Sequence, residues 1–136
     1  MTDIQTNVGT ALYNRLTTFS AGTALWSNRV YNGQAPAGVI LPYLIFYAIS
    51  GTGDENNTPV RTFDLRYHIE AIANSHSVAQ ICAGHVDGAL HHKDSNLSVS
   101  GQTVFWVVNT GIFEAIENVE GIQYWRRGAV YQIRLS

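Results

Sequence analysis

The sequence predicts an α+β domain: a predominantly antiparallel β-sheet with two main helices packed on it, N-terminal helix first. Three observations carry that reading. The patterns run helix, strands, helix, strands, without the repeated alternation of long helices and strands that a doubly wound parallel sheet requires. Residues 61–73 alternate apolar and polar side chains with a period of two. The connection from the preceding apolar run into that segment is too short for a crossover helix, so the two are expected to pair antiparallel. At 136 residues the chain makes a single domain, able to bury roughly 65–70% of the surface its unfolded form exposes.

Residues 2–19 read as the first helix. Thr2 with Gln5 fits a capping box and Asp3 adds negative charge to the first turn. Ile4, Val8, Leu12 and Leu16 make an apolar stripe that Ala11 and Phe19 widen. Gly9 interrupts it at a cost of about 1 kcal/mol relative to Ala, unless something packs closely there. Ala21-Gly22-Thr23 is expected to end the helix, residues 26–31 to form a short strand, and Asn32-Gly33 to turn.

The longest apolar run is Leu41-Pro42-Tyr43-Leu44-Ile45-Phe46-Tyr47-Ala48-Ile49-Ser50. It is far too short to cross a bilayer, and its β-branched and aromatic content makes it a strand. Tyr43, Ile45, Tyr47 and Ile49 alternate with Leu44, Phe46 and Ala48, so both faces are apolar. One face lies against a helix; the other needs a second layer of this chain or another subunit. Residues 51–60, with Asp54 and Glu55, are expected to form a mobile loop. Gly51-Thr52-Gly53 is no phosphate loop, because no Gly-Lys-Ser/Thr follows.

In the alternating strand, Phe63, Leu65, Tyr67, Ile69 and Ala71 form the buried face, while Thr62, Asp64, Arg66, His68 and Glu70 form a polar ladder. Residues 78–90 read as the second main helix, with Ser77 and Gln80 as a cap pair. Val78, Ile81, Cys82, His85 and Ala89 are expected to be its apolar side, and Gly84 and Gly88 to permit close approach to the sheet. Strands are expected at 96–99, 103–108 and 112–117, with turns at 100–102 and 109–111. Residues 122–125 and 129–135 read as a hairpin about Arg126-Arg127-Gly128.

Composition narrows function. The net charge is -2, charged residues make up 13% and no basic block exists, which argues against binding phosphate backbones by electrostatics. Seven Tyr and three Trp supply side chains enriched at protein interfaces. Cys82 is the single cysteine, so no intrachain disulfide forms, and its apolar neighbours predict a buried thiol. Met1-Thr2-Asp3 opens no signal peptide, so the protein is expected to stay in a cytoplasm.

Chemistry is nearly absent. Cys82, His85, His91, His92 and Asp94 make the best metal set, but their spacing matches no zinc motif. No metal or cofactor is expected. Asp64, Arg66, His68 and Glu70 could floor a cleft, and a small hydrolase using Asp64 and His68 is an alternative, as is a monomeric ligand-binding domain. An ion-pair ladder on a sheet face is the plainer reading. Arg126 and Arg127 beside Trp125 could stack on a base, but a hairpin tip or subunit contact is preferred.

Taken together, the helix with Leu12-Tyr13-Asn14-Arg15-Leu16, then Arg29-Val30-Tyr31, a Pro-containing linker, Leu41-Pro42-Tyr43 and a strand closing in Ile49-Ser50-Gly51-Thr52 resemble one family. The alternating strand, a helix beginning near His76 and a last strand with Tyr131, Ile133 and Leu135 complete the likeness. The family is that of the tail-completion, or head–tail joining, proteins of long-tailed bacteriophages and prophages, related to tail terminators. The resemblance implies a structural protein without catalysis. It would cap the tail tube as a ring, usually of six copies, and dock the head connector, with DNA only passing through the lumen. Partners would be further copies of itself, the tail tube protein and the connector protein, with no membrane. It would act in the host cytoplasm during assembly and in the virion tail or neck. Its site residues would be contacts: Tyr43, Ile45, Tyr47, Ile49, Asp54, Glu55, Arg66, His68, Trp106, Trp125, Arg126 and Arg127.

Overall fold

The computed structural model describes residues 4–54 and 62–136. The Thr2–Gln5 capping pair and most of the expected 51–60 loop lie outside the described residues or reach beyond them. The elements in chain order are α1 (Ile4–Thr18), α2 (Ser20–Trp26), β1 (Val30–Asn32), β2 (Tyr43–Asp54), β3 (Thr62–Ala73), α3 (His76–Leu90), β4 (Val104–Val119) and β5 (Ile122–Leu135). A 3-10 turn, Asp94–Asn96, precedes β4. The sheet order is β1-β2-β3-β5-β4. Only β1 is parallel to its neighbour; β2, β3, β5 and β4 pair antiparallel in turn. The class is α+β, and helices cover one face of the sheet.

The apolar stripe of α1 is buried at Val8, Ala11, Leu12 and Leu16. Gly9 is where it meets the sheet: a Cβ there would come 3.2 Å from Asn32 Nδ2 and 3.8 Å from a Phe46 ring carbon. The expected stop at 21–23 is instead a second helix. Thr17 and Thr18 turn their hydroxyls back onto the carbonyls of Tyr13 and Asn14, both at 2.7 Å, which bends a helix. Phe19 is extended, and α2 restarts after it. The expected strand at 26–31 shrinks to β1, because Trp26 is needed as the last residue of α2. Its ring is fully buried and Nε1 donates to Leu16 O at 3.0 Å. Trp26→Ala is expected to cost about 3–5 kcal/mol, read as a loss of roughly 10 °C or more in Tm by calorimetry.

β3 pairs with β2 as expected, with Phe46 opposite Ile69 and Leu44 opposite Ala71. β2 runs on through Gly51 to Asp54, so the start of the expected loop is strand. In α3 the apolar side is rotated from the expected one. Ala79, Cys82, Val86, Ala89 and Leu90 are buried, while Ile81 is 51% exposed. The cap is Ser75, whose Oγ accepts from Val78 N at 3.3 Å, rather than Ser77. Gly84 and Gly88 are exposed and do not bring α3 onto the sheet; a Cβ on Gly84 would meet nothing within 4 Å.

The C-terminal half departs most from expectation. Residues 96–99 form no strand; Leu97 and Val99 enter the core from an irregular segment. Asn109-Thr110-Gly111 is a bulge within one long β4, not a turn. Asn109 is fastened there by bonds to His91 Nδ1 and Asp87 Oδ1, and its Oδ1 accepts from Gly111 N. The hairpin turn is Glu120-Gly121, both at positive φ (52° and 81°), the conformation that two-residue hairpins favour. Arg126-Arg127-Gly128 therefore lies inside β5.

Candidate subunit-contact surface

Strand alternation divides β2, β3, β5 and β4 into two faces. Leu44, Phe46, Leu65, Tyr67, Ile69, Ala71, Ala129, Tyr131 and Ile133 join the core beneath the helices. The opposite face carries Tyr43, Ile45 and Tyr47 from β2, Asp64, Arg66, His68, Glu70 and Ile72 from β3, Arg126 and Arg134 from β5, and Trp106 and Phe113 from β4. No helix or second sheet among the described residues lies over it.

The centre of this face is Glu70, 1% exposed and the only charged side chain that buried among the described residues. Arg126 bonds its Oε1 through both Nε and a second guanidinium nitrogen. His68 Nε2 lies 3.1 Å from Oε2, and Arg126 also reaches Glu117 Oε2 at 3.1 Å. The bond to Glu70 raises the pKa of Arg126 against the opposing effect of burial, so the guanidinium stays charged. The His68 ring is stacked on Tyr47, centroids 4.9 Å apart, and packs on Phe113 at 4.4 Å. Burial raises the pKa of Tyr43, with Arg126 acting in the other direction.

Gly128 makes this packing possible. It stands opposite Glu70 on one side and Phe113 on the other. A Cβ there would lie 2.1 Å from Ile69 O and 2.6 Å from Glu70 Cα. A cross-strand aromatic beside a glycine is a known way of filling the gap it leaves.

Of the sequence-predicted contact residues, Tyr43, Ile45, Tyr47, Arg66, His68, Trp106 and Arg126 share the uncovered face. Arg134 holds Trp106 from above at 5.7 Å. Ile49 stands at a β2 bulge, 51% exposed. Trp125 and Arg127 lie on the helix side: Trp125 packs on His76, and Arg127 pairs with Glu114 at 3.2 Å. Desolvation pushes the Glu114 carboxyl up, but its bonds to Arg127 and His76 outweigh this and hold it low. Asp54 ends β2, and Glu55 lies outside the described residues.

Among the described residues, the side chains named for the chemical alternatives are engaged elsewhere. Asp64 accepts from Gln132 at 2.8 Å and faces Arg134, while His68 is engaged with Glu70, so the two do not form a dyad. Cys82 is fully buried, and desolvation pushes its thiol up to about 11, which leaves it uncharged and unreactive. Among the described residues no group of three His, Cys, Asp or Glu side chains could hold a metal ion. None of their helices is long and apolar enough to cross a membrane. Sequence reasoning missed Phe113, Gly128 and the depth of Glu70; the three cross-strand neighbours are far apart in the chain.

A groove of about 510 Å³ opens on the same face, between Gly33–Pro36 and the β4–β5 arm, with Tyr43, Ile45, Tyr124 and Arg126 along it. Comparison with known proteins gives a family. The family model of tail completion protein gp17 matches residues 10–118. No curated protein matches the sequence. A solved chain described as the virion of a native gene transfer agent particle is 17% identical, with a TM-score of 0.72 over 99% of this chain and 98% of that one. A second solved chain is 16% identical, with a TM-score of 0.60 over 97% and 95%. At these identities the likeness is one of fold.

Proposed function

This chain belongs to the tail completion protein gp17 family, a bacteriophage virion structural protein, and from that premise we propose that it closes the head-proximal end of the tail tube as a ring. The ring is of six copies, touches the tail tube protein on one side and the head connector on the other, and lets DNA pass through its lumen. It assembles in the host cytoplasm, catalyses nothing and needs no cofactor. The observation that supports this most is the uncovered aromatic face of the sheet. Tyr43, Ile45, Tyr47, Phe113 and Trp106 sit there with no layer of this chain above them among the described residues. A closed ring needs heterologous contacts, and a Tyr- and Trp-bearing face whose charges balance is suited to them.

Mass measurement in solution, with and without purified tail tubes, tests the reading. A ring on the tubes supports it; failure of the wild-type protein to bind tubes overturns it. Tyr47→Glu places a charge at a 39% exposed position. It is expected to weaken tube-bound ring formation by about tenfold or more, as truncation of an aromatic hot spot does, with Tm changed little.

A further inference from the structure

The two ends of the sheet are both open, and they are unlike. β1 covers the outer edge of β2 only opposite Leu44, Ile45 and Phe46. From Tyr47 to Asp54 that edge meets no other strand among the described residues. At the far end, β4 pairs with β5 alone. The bonds described on its outer edge, from His92 N to Val107 O and from Asn109 N to His91 Nδ1, stop at Asn109. From Ile112 to Val119 that outer edge too meets no strand among the described residues.

The protection on these edges is slight: a bulge at Ile49 in β2, and Glu114 and Glu117 in β4. Both lack Lys, Arg and Pro, which natural proteins use to block edge-to-edge pairing. Eight of the eleven large apolar side chains exposed among the described residues lie on or beside these strands: Tyr47 and Ile49, Phe105, Trp106, Ile112, Ile116 and Val119, and Ile122 across the hairpin. Ile112 is 70% exposed and Ile116 50%.

We propose that neighbouring copies join edge to edge. The outer edge of β4, from Ile112 to Val119, pairs with the outer edge of β2, from Tyr47 to Asp54, of the next copy, and the sheet runs on around the ring. The inference rests on the ring reading above and names its joint. Strand direction favours it. With β2, β3, β5 and β4 alternating, β4 runs opposite to β2, so a copy placed alongside in the same sense meets it antiparallel, the better of the two pairings. The two open stretches are equal in length, each about 25 Å at ~3.3 Å per residue. They are also displaced along the strands. The open part of β2 lies level with the β5 end near Leu135, the open part of β4 level with Ala129 and beyond. Successive copies are therefore staggered, and a fixed stagger with tilted strands is what closing a sheet into a barrel demands. Charge agrees as well. Glu117 is half exposed on the open face of β4, and Arg66, beside Ser50 on the same face, has no ion pair among the described residues.

Amide hydrogen exchange and cysteine cross-linking on the tube-bound protein test the joint. The outward-pointing amides of both stretches, those not already bonded to β3 or β5, are expected to exchange at least about tenfold more slowly in the ring than in the free subunit. Double variants carrying Ile49→Cys with Ile112→Cys or Ile116→Cys are expected to give a ladder of covalent multimers on oxidation, and each single variant none, because the contact is heterologous. Buried Cys82 does not compete. Single variants that cross-link into dimers overturn the proposal in favour of an isologous contact. A ring of normal mass with neither protection nor a ladder overturns the joint and leaves the ring standing. Wild-type protein that forms no ring on tubes overturns both.

Discussion

Gly128→Ala is expected to abolish stable folding or to cost about 3 kcal/mol or more, beyond the usual range for an overpacked site. The added methyl would lie 2.1 Å from Ile69 O and 2.6 Å from Glu70 Cα. These are backbone atoms of the central strand, held by pairing on both sides, so neither can swing aside as a side-chain tip could. The substitution would have to push β5 from β3 in the middle of their ladder, where Glu70 faces Gly128. Urea unfolding followed by far-UV circular dichroism reads the loss. A variant as stable as the wild type would mean that the β3–β5 contact is looser than described. Gly111→Ala is the control: nothing lies within 4 Å of a Cβ there, and little change is expected.

Arg126→Ala is expected to destabilise by about 2–3 kcal/mol, below the range for a fully buried pair because Arg126 keeps contact with water. Glu70→Gln is expected to cost less, although it removes the other half of the same pair. Glu70 is 1% exposed, whereas Arg126 is 36% exposed. Losing the arginine strands a carboxylate away from water with only His68 beside it. Losing the carboxylate leaves a guanidinium that can rehydrate and still reach Glu117. In Glu70→Gln protein, Arg126→Ala is then expected to cost clearly less than it does alone, and that difference is the coupling between them. Equal costs in either order would show that Glu70 is solvated in solution. Because the pair sits at the centre of the proposed contact face, stability and ring formation should be measured side by side for each variant.

Much of the fold was legible because its elements advertise their own periods. The stripe of α1 and the alternation of β3 are local patterns, and each predicted which side chains are buried. The two apolar sides of β2 posed the question of a second cover, and the structure leaves one side bare. The errors share a cause. Thr17 and Thr18 bend the first helix, and the demand to bury Trp26 restarts it, where breaker residues alone predicted its end. Asn109-Thr110-Gly111 and Arg126-Arg127-Gly128 have turn composition. They stay in strands because His91, Asp87 and Glu70, all distant in sequence, supply partners that a turn would otherwise have to find locally. The rotated face of α3, with Ile81 exposed and Val86 buried, was ambiguous because apolar and small residues occur all round that helix.

For the contact surface the division is sharper. The sequence alone determined that one face of β2 and the polar side of β3 belong together, since a period of two admits no other arrangement. It also determined that the chain is rich in Tyr and Trp and low in net charge, a matter of composition. Only the tertiary structure decided that Glu70 is buried rather than one rung of an exposed ladder. Its burial depends on Arg126, Phe113 and Gly128, brought alongside by pairings that span much of the chain. Only the tertiary structure decided which strands have open edges, because that follows from the order β1-β2-β3-β5-β4 and from how short β1 is. A sequence specifies each strand's own hydrogen-bonding groups, but which of them remain unpaired is a property of the whole sheet.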